Sequence, residues 1–319
     1  MSWGVARLLF FWWAFLSGSP FGDAPAPPHS SGSGVELFVL GTVQDGGSPH
    51  IGCARACCAG LFQNPDPSRK VVSLGLIDHT EGRTYLFEAG PDFPEQLQLL
   101  QQKAGSGRAT PSGVFLTHAH MGHYSGLMYL GREALNADSV AVYAMPGMLR
   151  FLRENGPWSQ LVSLGNIFLN PLGDQQPVRL TPRLEVVPFT VPHRDEFSET
   201  VGFEIRGPGK TALFIPDIDK WERWQTDISE RIRQVDLAFV DATFFDGAEI
   251  GYRDMSEIPH PFVAESMGLF DRLPEEERAK IHFIHLNHTN PLLDPESEGS
   301  RLVREKGYGI ARFGARFEL

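Results

Sequence analysis

Only three cysteines occur in the 319 residues, at positions 53, 57 and 58, and that scarcity excludes a disulfide framework. Three thiols cannot all pair within one chain, and the adjacent Cys57 and Cys58 bridge only with strain. Clusters of basic residues are missing too. The formal net charge is −11, whereas phosphate backbones and anionic membrane surfaces are bound by grouped Lys and Arg. The loose set Arg301, Arg304 and Lys306 reads as a solvated helix face. Nucleic acid is therefore not an expected partner. No apolar run reaches the roughly 20 residues that a bilayer-spanning helix requires, and no internal repeat is visible.

What is present begins at the N-terminus. A short segment with one positive charge, Arg7, precedes the apolar and aromatic run Leu8 to Leu16, and small or turn-forming residues follow to Ala26. This three-part pattern predicts a signal peptide over 1–26, with cleavage after Ala24 or Ala26. The mature chain is then expected in the periplasm or outside the cell, with no stable membrane span after cleavage. Residues 27–34, within a stretch rich in Pro, Gly and Ser, read as a linker that cannot bury apolar surface. With 42% hydrophobic residues overall, the segment 35–319 is long enough for one large core or two smaller ones.

From Val35 onward, strand-like and helix-like stretches alternate. Strands are expected at 35–42, 71–78, 84–88, 113–116, 139–144, 184–189, 211–215, 237–240 and 281–285. Helices are expected at 92–103, 124–130, 146–155, 228–234, 261–269 and 297–306. The fold class is α/β, with two packed sheets and helices outside them. Polar residues cluster where strands end: His118 follows 114–116, His193 follows 186–191, Asp217 follows 212–215, and His285 ends 281–284. A scaffold that delivers such groups from separate strands can build one site from distant segments.

The strongest local signal is Thr117-His118-Ala119-His120-Met121-Gly122-His123. Imidazole is the commonest protein ligand for zinc and similar ions. Residues i and i+2 of an extended turn can face one ion, and a third His at i+5 can approach from the other side. The clustered thiols suggest a second metal. His260, in Ile258-Pro259-His260-Pro261, reads either as a proton donor or as a surface histidine. Asp241, at the end of its strand, reads either as support for a metal-bound His or as a turn residue.

These motifs resemble the metallo-β-lactamase superfamily, whose hallmark is His-x-His-x-Asp-His followed by a distal His, an Asp and a last His. The resemblance covers most of 35–319 and implies an αββα sandwich of two mixed sheets, with this segment as the catalytic domain. It implies that His118, His120 and His193 hold a first metal, His123 and His285 a second, and that Asp217 bridges them, with Asp217 and His260 as catalytic candidates. The family aspartate falls on Gly122, which offers no side chain. The second site would then keep only His123, Asp217 and His285, and restoring an aspartate at 122 would be expected to strengthen it. The segments Leu40 to Gly47 and Ile284 to Leu292 further resemble the branch of pyrroloquinoline quinone biosynthesis protein B. That branch implies a structural zinc held by Cys53, Cys57, Cys58 and His288, although Arg55 stands where a middle cysteine is usual.

The implied cofactor is zinc, one or two ions at the histidines plus a structural one, with iron or manganese as alternatives. The leading expectation is hydrolysis of a small-molecule ester, amide, lactone or phosphodiester by activated water. An iron-dependent oxidoreductase and a non-catalytic metal-binding relative are the alternatives. The oligomeric state is left open.

Overall fold

Each strand-forming run after position 34 ends at Gly, Pro, Asp or a polar turn, and in the computed structural model these runs pair into two sheets. The structure describes Met1, residues 34–251 and residues 254–319, with the side chain of Ser256 excluded. The expected signal peptide and nearly all of the linker lie outside the described residues. The strands are β1 Val35–Gly41, β2 Ser73–Asp78, β3 Arg83–Phe87, β4 Gly113–Phe115, β5 Val140–Ala144, β6 Ile167–Pro171 and β7 Val178–Thr181. They continue as β8 Leu184–Thr190, β9 Val201–Arg206, β10 Thr211–Ile215, β11 Leu237–Asp241, β12 Ile281–Ile284, β13 Gly309–Ile310 and β14 Arg316–Glu318. The sheet orders are β14-β1-β2-β3-β4-β5-β6 and β13-β12-β11-β10-β9-β8-β7.

The pairing fixes which strand ends can meet. β1 and β3 are both antiparallel to β2, and β4 is parallel to β3, so these three run the same way. In the second sheet β8 and β10 are both antiparallel to β9, while β11 and β12 are parallel to β10. Both sheets are therefore mixed. The strands that precede the candidate ligands all present C-terminal ends, as ligand sites of open α/β sheets do.

Side-chain alternation builds three apolar layers. Leu37, Val39, Tyr85 and Phe87 of the first sheet meet Phe203, Ala212 and Phe214 of the second in the central layer. Their chain neighbours Phe38, Leu40 and Leu86 point outward and pack with Phe93, Leu97, Leu100 and Leu152 of the helices Phe93–Ala104 and Pro146–Glu154. On the other side Leu213 and Ile215 pack with Ile232, Met267 and Phe270 of the helices Ile228–Arg233 and Val263–Phe270. Strands buried on both faces read as continuous apolar runs. The result is the αββα sandwich. Among the described residues no helix is long and apolar enough to cross a membrane.

The expected helix at 124–130 is replaced by one α-helical turn, Met121–Tyr124, and a 3-10 segment, Ser125–Leu130. The Gly126 N–H donates to the Ala89 carbonyl at 2.7 Å, and a Cβ at Gly126 would come within 2.1 Å of the Gly90 oxygen. Contact with the loop after β3 thus tightens the segment. The short strands β13 and β14, the edge-sheet strands β6 and β7, and β9 carry no matching sequence expectation.

Phe87 is fully buried, with its ring 4.9 Å from Phe115 and 5.4 Å from Phe203 across the sandwich. Phe87→Ala is expected to cost about 3–5 kcal/mol in denaturant unfolding. A loss below about 1 kcal/mol would contradict this packing.

Candidate metal centre

β4 runs out into Thr117 and His118, and the turn that follows brings His120 and His123 back to the same point. β8 delivers His193, β10 delivers Asp217, and β12 delivers His285. Two of the positioning residues adopt the left-handed backbone region, Glu88 with φ 76° and His285 with φ 66°. Non-glycine residues adopt it uncommonly, and Asn136, Ser139 and Gln175 do so elsewhere in the chain.

Two groups of ligand atoms result. In the first, His118 Nε2 lies 2.8 Å from His120 Nδ1, and His193 Nε2 lies 3.3 Å from that same Nδ1. Asp217 Oδ2 is 3.4 Å from His118 Nε2 and 3.3 Å from His193 Nε2. In the second, Asp45 Oδ1 is 3.0 Å from His123 Nε2 and 3.1 Å from His285 Nε2, and Asp217 Oδ2 is 3.8 Å from His123 Nε2. Atoms that share one zinc at about 2.0–2.1 Å lie roughly 3.3 Å apart, so both groups have the spacing of a ligand set. Asp217 belongs to both.

The far nitrogen of every one of these imidazoles faces an oxygen. Thr117 Oγ1 is 2.8 Å from His118 Nδ1, and His120 Nε2–H donates to Glu196 at 2.9 Å. His193 Nδ1–H donates to Asp219 at 3.2 Å, and His285 Nδ1–H to Thr243 Oγ1 at 2.9 Å. His123 Nδ1 faces the fully buried Glu88 carboxylate at 3.5 Å. Such partners fix ring orientation and tautomer and raise ligand basicity, as is usual where imidazole binds metal. Glu88 itself is buried with no hydrogen-bond donor aligned on either oxygen. These groups fit a bound cation.

Electrostatics separate the histidines. Burial, aided by the neighbouring His123, lowers the His118 pKa to about 3. Burial alone would lower His123 as well, but Asp45 and Glu88 hold it well above the usual histidine range. Burial also opposes charge on His285, and Asp241 and Asp45 raise it to about 9. Burial would raise the Asp217 carboxyl, yet the charges of His260 and His193 hold it well below the usual carboxylate range.

His260 joins the cluster from the loop before Val263. Its Nδ1 is 2.8 Å from Asp241 Oδ2 and 3.1 Å from Asp217 Oδ1. It is therefore gripped by two carboxylates rather than sitting as a surface histidine. Asp241 also accepts from Thr243 at 2.7 Å, so it supports the centre through His260 and the Thr243–His285 contact.

Sequence reasoning missed Asp45, Glu88, Glu196, Asp219 and Thr243 as parts of this site. The motif names no carboxylate beside His123 and His285 other than Asp217, whereas the structure places Asp45 Oδ1 3.0 Å and 3.1 Å from their Nε2 atoms. Asp45 lies within the Leu40 to Gly47 segment that carries the resemblance, but its closeness to His123, 78 residues away, has no local signal.

A separate cluster lies nearby. The helical turn Ala56–Ala59 carries Cys57 and Cys58, and the metal-ligating atoms of Cys53, Cys57, Cys58 and His288 all lie within 4.8 Å of one another. The Cys53 and Cys57 sulfurs are 3.8 Å apart, too far for a disulfide and close to the roughly 3.8 Å expected for two thiolates on one zinc. The His50 backbone N–H donates to Cys58 Sγ at 3.3 Å, and the His50 ring stacks on His288 at 4.4 Å.

Two predictions follow from the separation of these clusters. His118→Ala is expected to lose one ion per chain by elemental analysis while keeping the wild-type melting temperature to within a few degrees. Cys58→Ser is expected to lose a different ion and to lower the melting temperature by on the order of 5 °C or more. Full stability of the Cys58 variant would contradict a structural role for that cluster.

A family profile described as Beta-lactamase superfamily domain matches residues 83–283. Coenzyme PQQ synthesis protein B of Methylorubrum extorquens strain PA1 is 26% identical over 311 residues, covering 89% of this chain and 100% of that protein. The crystal structure of Zn²⁺-bound PqqB from Methylobacterium extorquens superposes with a TM-score of 0.74 at 22% identity, covering 89% of this chain and 100% of that one. A diphosphatase of the PhnP family superposes with a TM-score of 0.61 at 21% identity, covering 89% and 97%. With its fold, its histidine cluster and this family match together, the chain belongs to the metallo-β-lactamase superfamily, and it is similar in sequence and fold to PqqB.

Proposed function

We propose that this chain is an exported metal-dependent hydrolase that cleaves a small ester, lactone or phosphodiester. The observation that carries the reading is the buried Asp217 carboxylate shared by two ligand groups, with each surrounding imidazole oriented by an oxygen on its far side. Export rests on the three-part N-terminal pattern alone.

His118, His120, His193 and Asp217 would hold one zinc, and His123, Asp217 and His285 would contribute to a second. Zinc held there would lower the pKa of a coordinated water to about 7 and would polarise the electrophile. The remaining chemistry belongs to the chain. Asp217 keeps its negative charge inside the centre and presents Oδ1 towards His260. His260 is buried, and although burial opposes its charge, Asp241 and Asp217 hold its pKa well above the usual range. It therefore keeps a proton at neutral pH and is placed to give it to a departing alkoxide. Glu196 fixes His120 at the more open side, where its own side chain is 46% exposed. The neighbouring side chains Met121 and Phe197 are 70% and 62% exposed and offer an apolar rim for a substrate.

The test is to purify the chain, measure its metals, and assay phosphodiester, lactone and ester panels. A second sample loaded with iron is tested for oxygen uptake. Zinc with turnover on one panel supports hydrolysis. Iron with oxygen uptake and no hydrolysis would overturn it in favour of an oxidoreductase.

His260→Gln is expected to keep the metal content and to lower kcat by on the order of 100-fold for poor leaving groups. The loss should shrink for nitrophenyl leaving groups, which need no proton. Equal losses for both would contradict proton donation by His260.

A further inference from the structure

Gly122 occupies the position at which the superfamily motif places an aspartate, and the space beside it is already filled. A Cβ built on Gly122 would lie 2.4 Å from Asp45 Cβ, 2.5 Å from Asp45 Cα and 2.6 Å from Asp45 Cγ. These are backbone and near-backbone atoms that cannot swing aside. The Asp45 carboxylate therefore stands where a side chain from position 122 would reach.

We infer that Asp45 is the carboxylate ligand of the second metal, supplied by the loop after β1 in place of a residue at 122. This rests on the metal-dependent reading of the centre. Asp45 Oδ1 lies 3.0 Å from His123 Nε2 and 3.1 Å from His285 Nε2, so one oxygen serves both second-site imidazoles. With Asp217 the set becomes two imidazoles and two carboxylates, an ordinary zinc ligand set.

The loop is built to hold that geometry. The Gln44 N–H donates to the Leu286 carbonyl at 2.9 Å, and the Leu286 N–H donates to the Thr42 carbonyl at 2.7 Å. Val43 and Leu286 form a parallel bridge. Asp45 and His285 are thus carried by two segments laced together by backbone bonds, and their separation does not depend on side-chain packing. Gly47, with φ 73°, turns the chain directly afterwards. On its other side the Gly122 backbone is closely packed, since a Cβ on Gly90 would come within 2.3 Å of the Gly122 oxygen. Glycine at 122 and aspartate at 45 are therefore one arrangement. Contrary to the expectation from the motif alone, Gly122→Asp by itself should collide with Asp45 rather than strengthen the site.

The experiment counts and titrates ions rather than activity. Wild type, Asp45→Asn and Gly122→Asp are stripped and reloaded with zinc, then analysed by elemental analysis and competition titration. Cobalt substitution separates the centres, because thiolate charge transfer marks the cysteine cluster. Asp45→Asn should hold one ion fewer than wild type at limiting zinc. Its second-site affinity should fall by at least the roughly 10- to 100-fold that loss of a supporting residue costs. The ion at His118, His120 and His193 should remain, which also reports that the variant is folded. Gly122→Asp should gain no second-site affinity over wild type, because its Cβ would lie 2.5 Å from the Asp45 Cα. Asp45→Asn with wild-type stoichiometry and affinity would overturn the inference, as would Gly122→Asp binding the second ion more tightly than wild type. A wild-type centre that takes a single ion would also overturn it, while leaving the hydrolytic reading intact, since that reading requires only the first ion.

Discussion

A carboxylate buried among histidines sets the terms for the rest of this molecule. Asp217 is 3% exposed, and its Oδ2 stands within 3.3 to 3.8 Å of His118, His193 and His123. Its other oxygen faces His260. A lone carboxylate at that depth would take up a proton. It stays charged because four imidazoles, delivered by three separate segments of the chain, converge on it. The sandwich has to hold those segments in register, and the aromatic layer around Phe87, Phe115 and Phe203 is what fixes the two sheets against each other.

The same constraint explains the ring of oxygens behind the histidines. An imidazole that must present one defined nitrogen needs its other nitrogen occupied. Glu88, Thr117, Glu196, Asp219 and Thr243 supply those contacts from five different places in the chain. The left-handed backbone at Glu88 and His285 fits this picture, because strained residues persist where surrounding structure over-determines them. His288 of the cysteine cluster lies only three residues beyond His285, so a structural ion there would brace the segment that also carries a ligand.

Much of this was legible in the sequence. The tight spacing of His118, His120 and His123 announces metal chemistry, and the placement of His193, Asp217 and His285 after apolar runs locates them at strand ends. The two-face burial of β1, β3 and β10 is visible as continuous hydrophobic stretches. What was not legible depends on contacts distant in sequence. Asp45 touches His123 across 78 residues and His285 across 240, and no local period encodes that. Glu196 and Asp219 look like ordinary surface acids until the loop is folded onto His120 and His193. The strands β13 and β14 are two and three residues long and carry too little pattern to read. The helix expected after His123 failed for a similar reason, since the contact of Gly126 with Ala89 and Gly90 is a tertiary one.

The central claim is that two ion positions share Asp217. Anomalous diffraction at the zinc edge, from crystals of the zinc-loaded chain, tests it most directly. The account predicts one peak among His118, His120, His193 and Asp217, a second among Asp45, His123, Asp217 and His285, and a third at the cysteine cluster. A map with fewer than two anomalous peaks at the histidines, or with Asp217 outside the coordination distance of either, would contradict it.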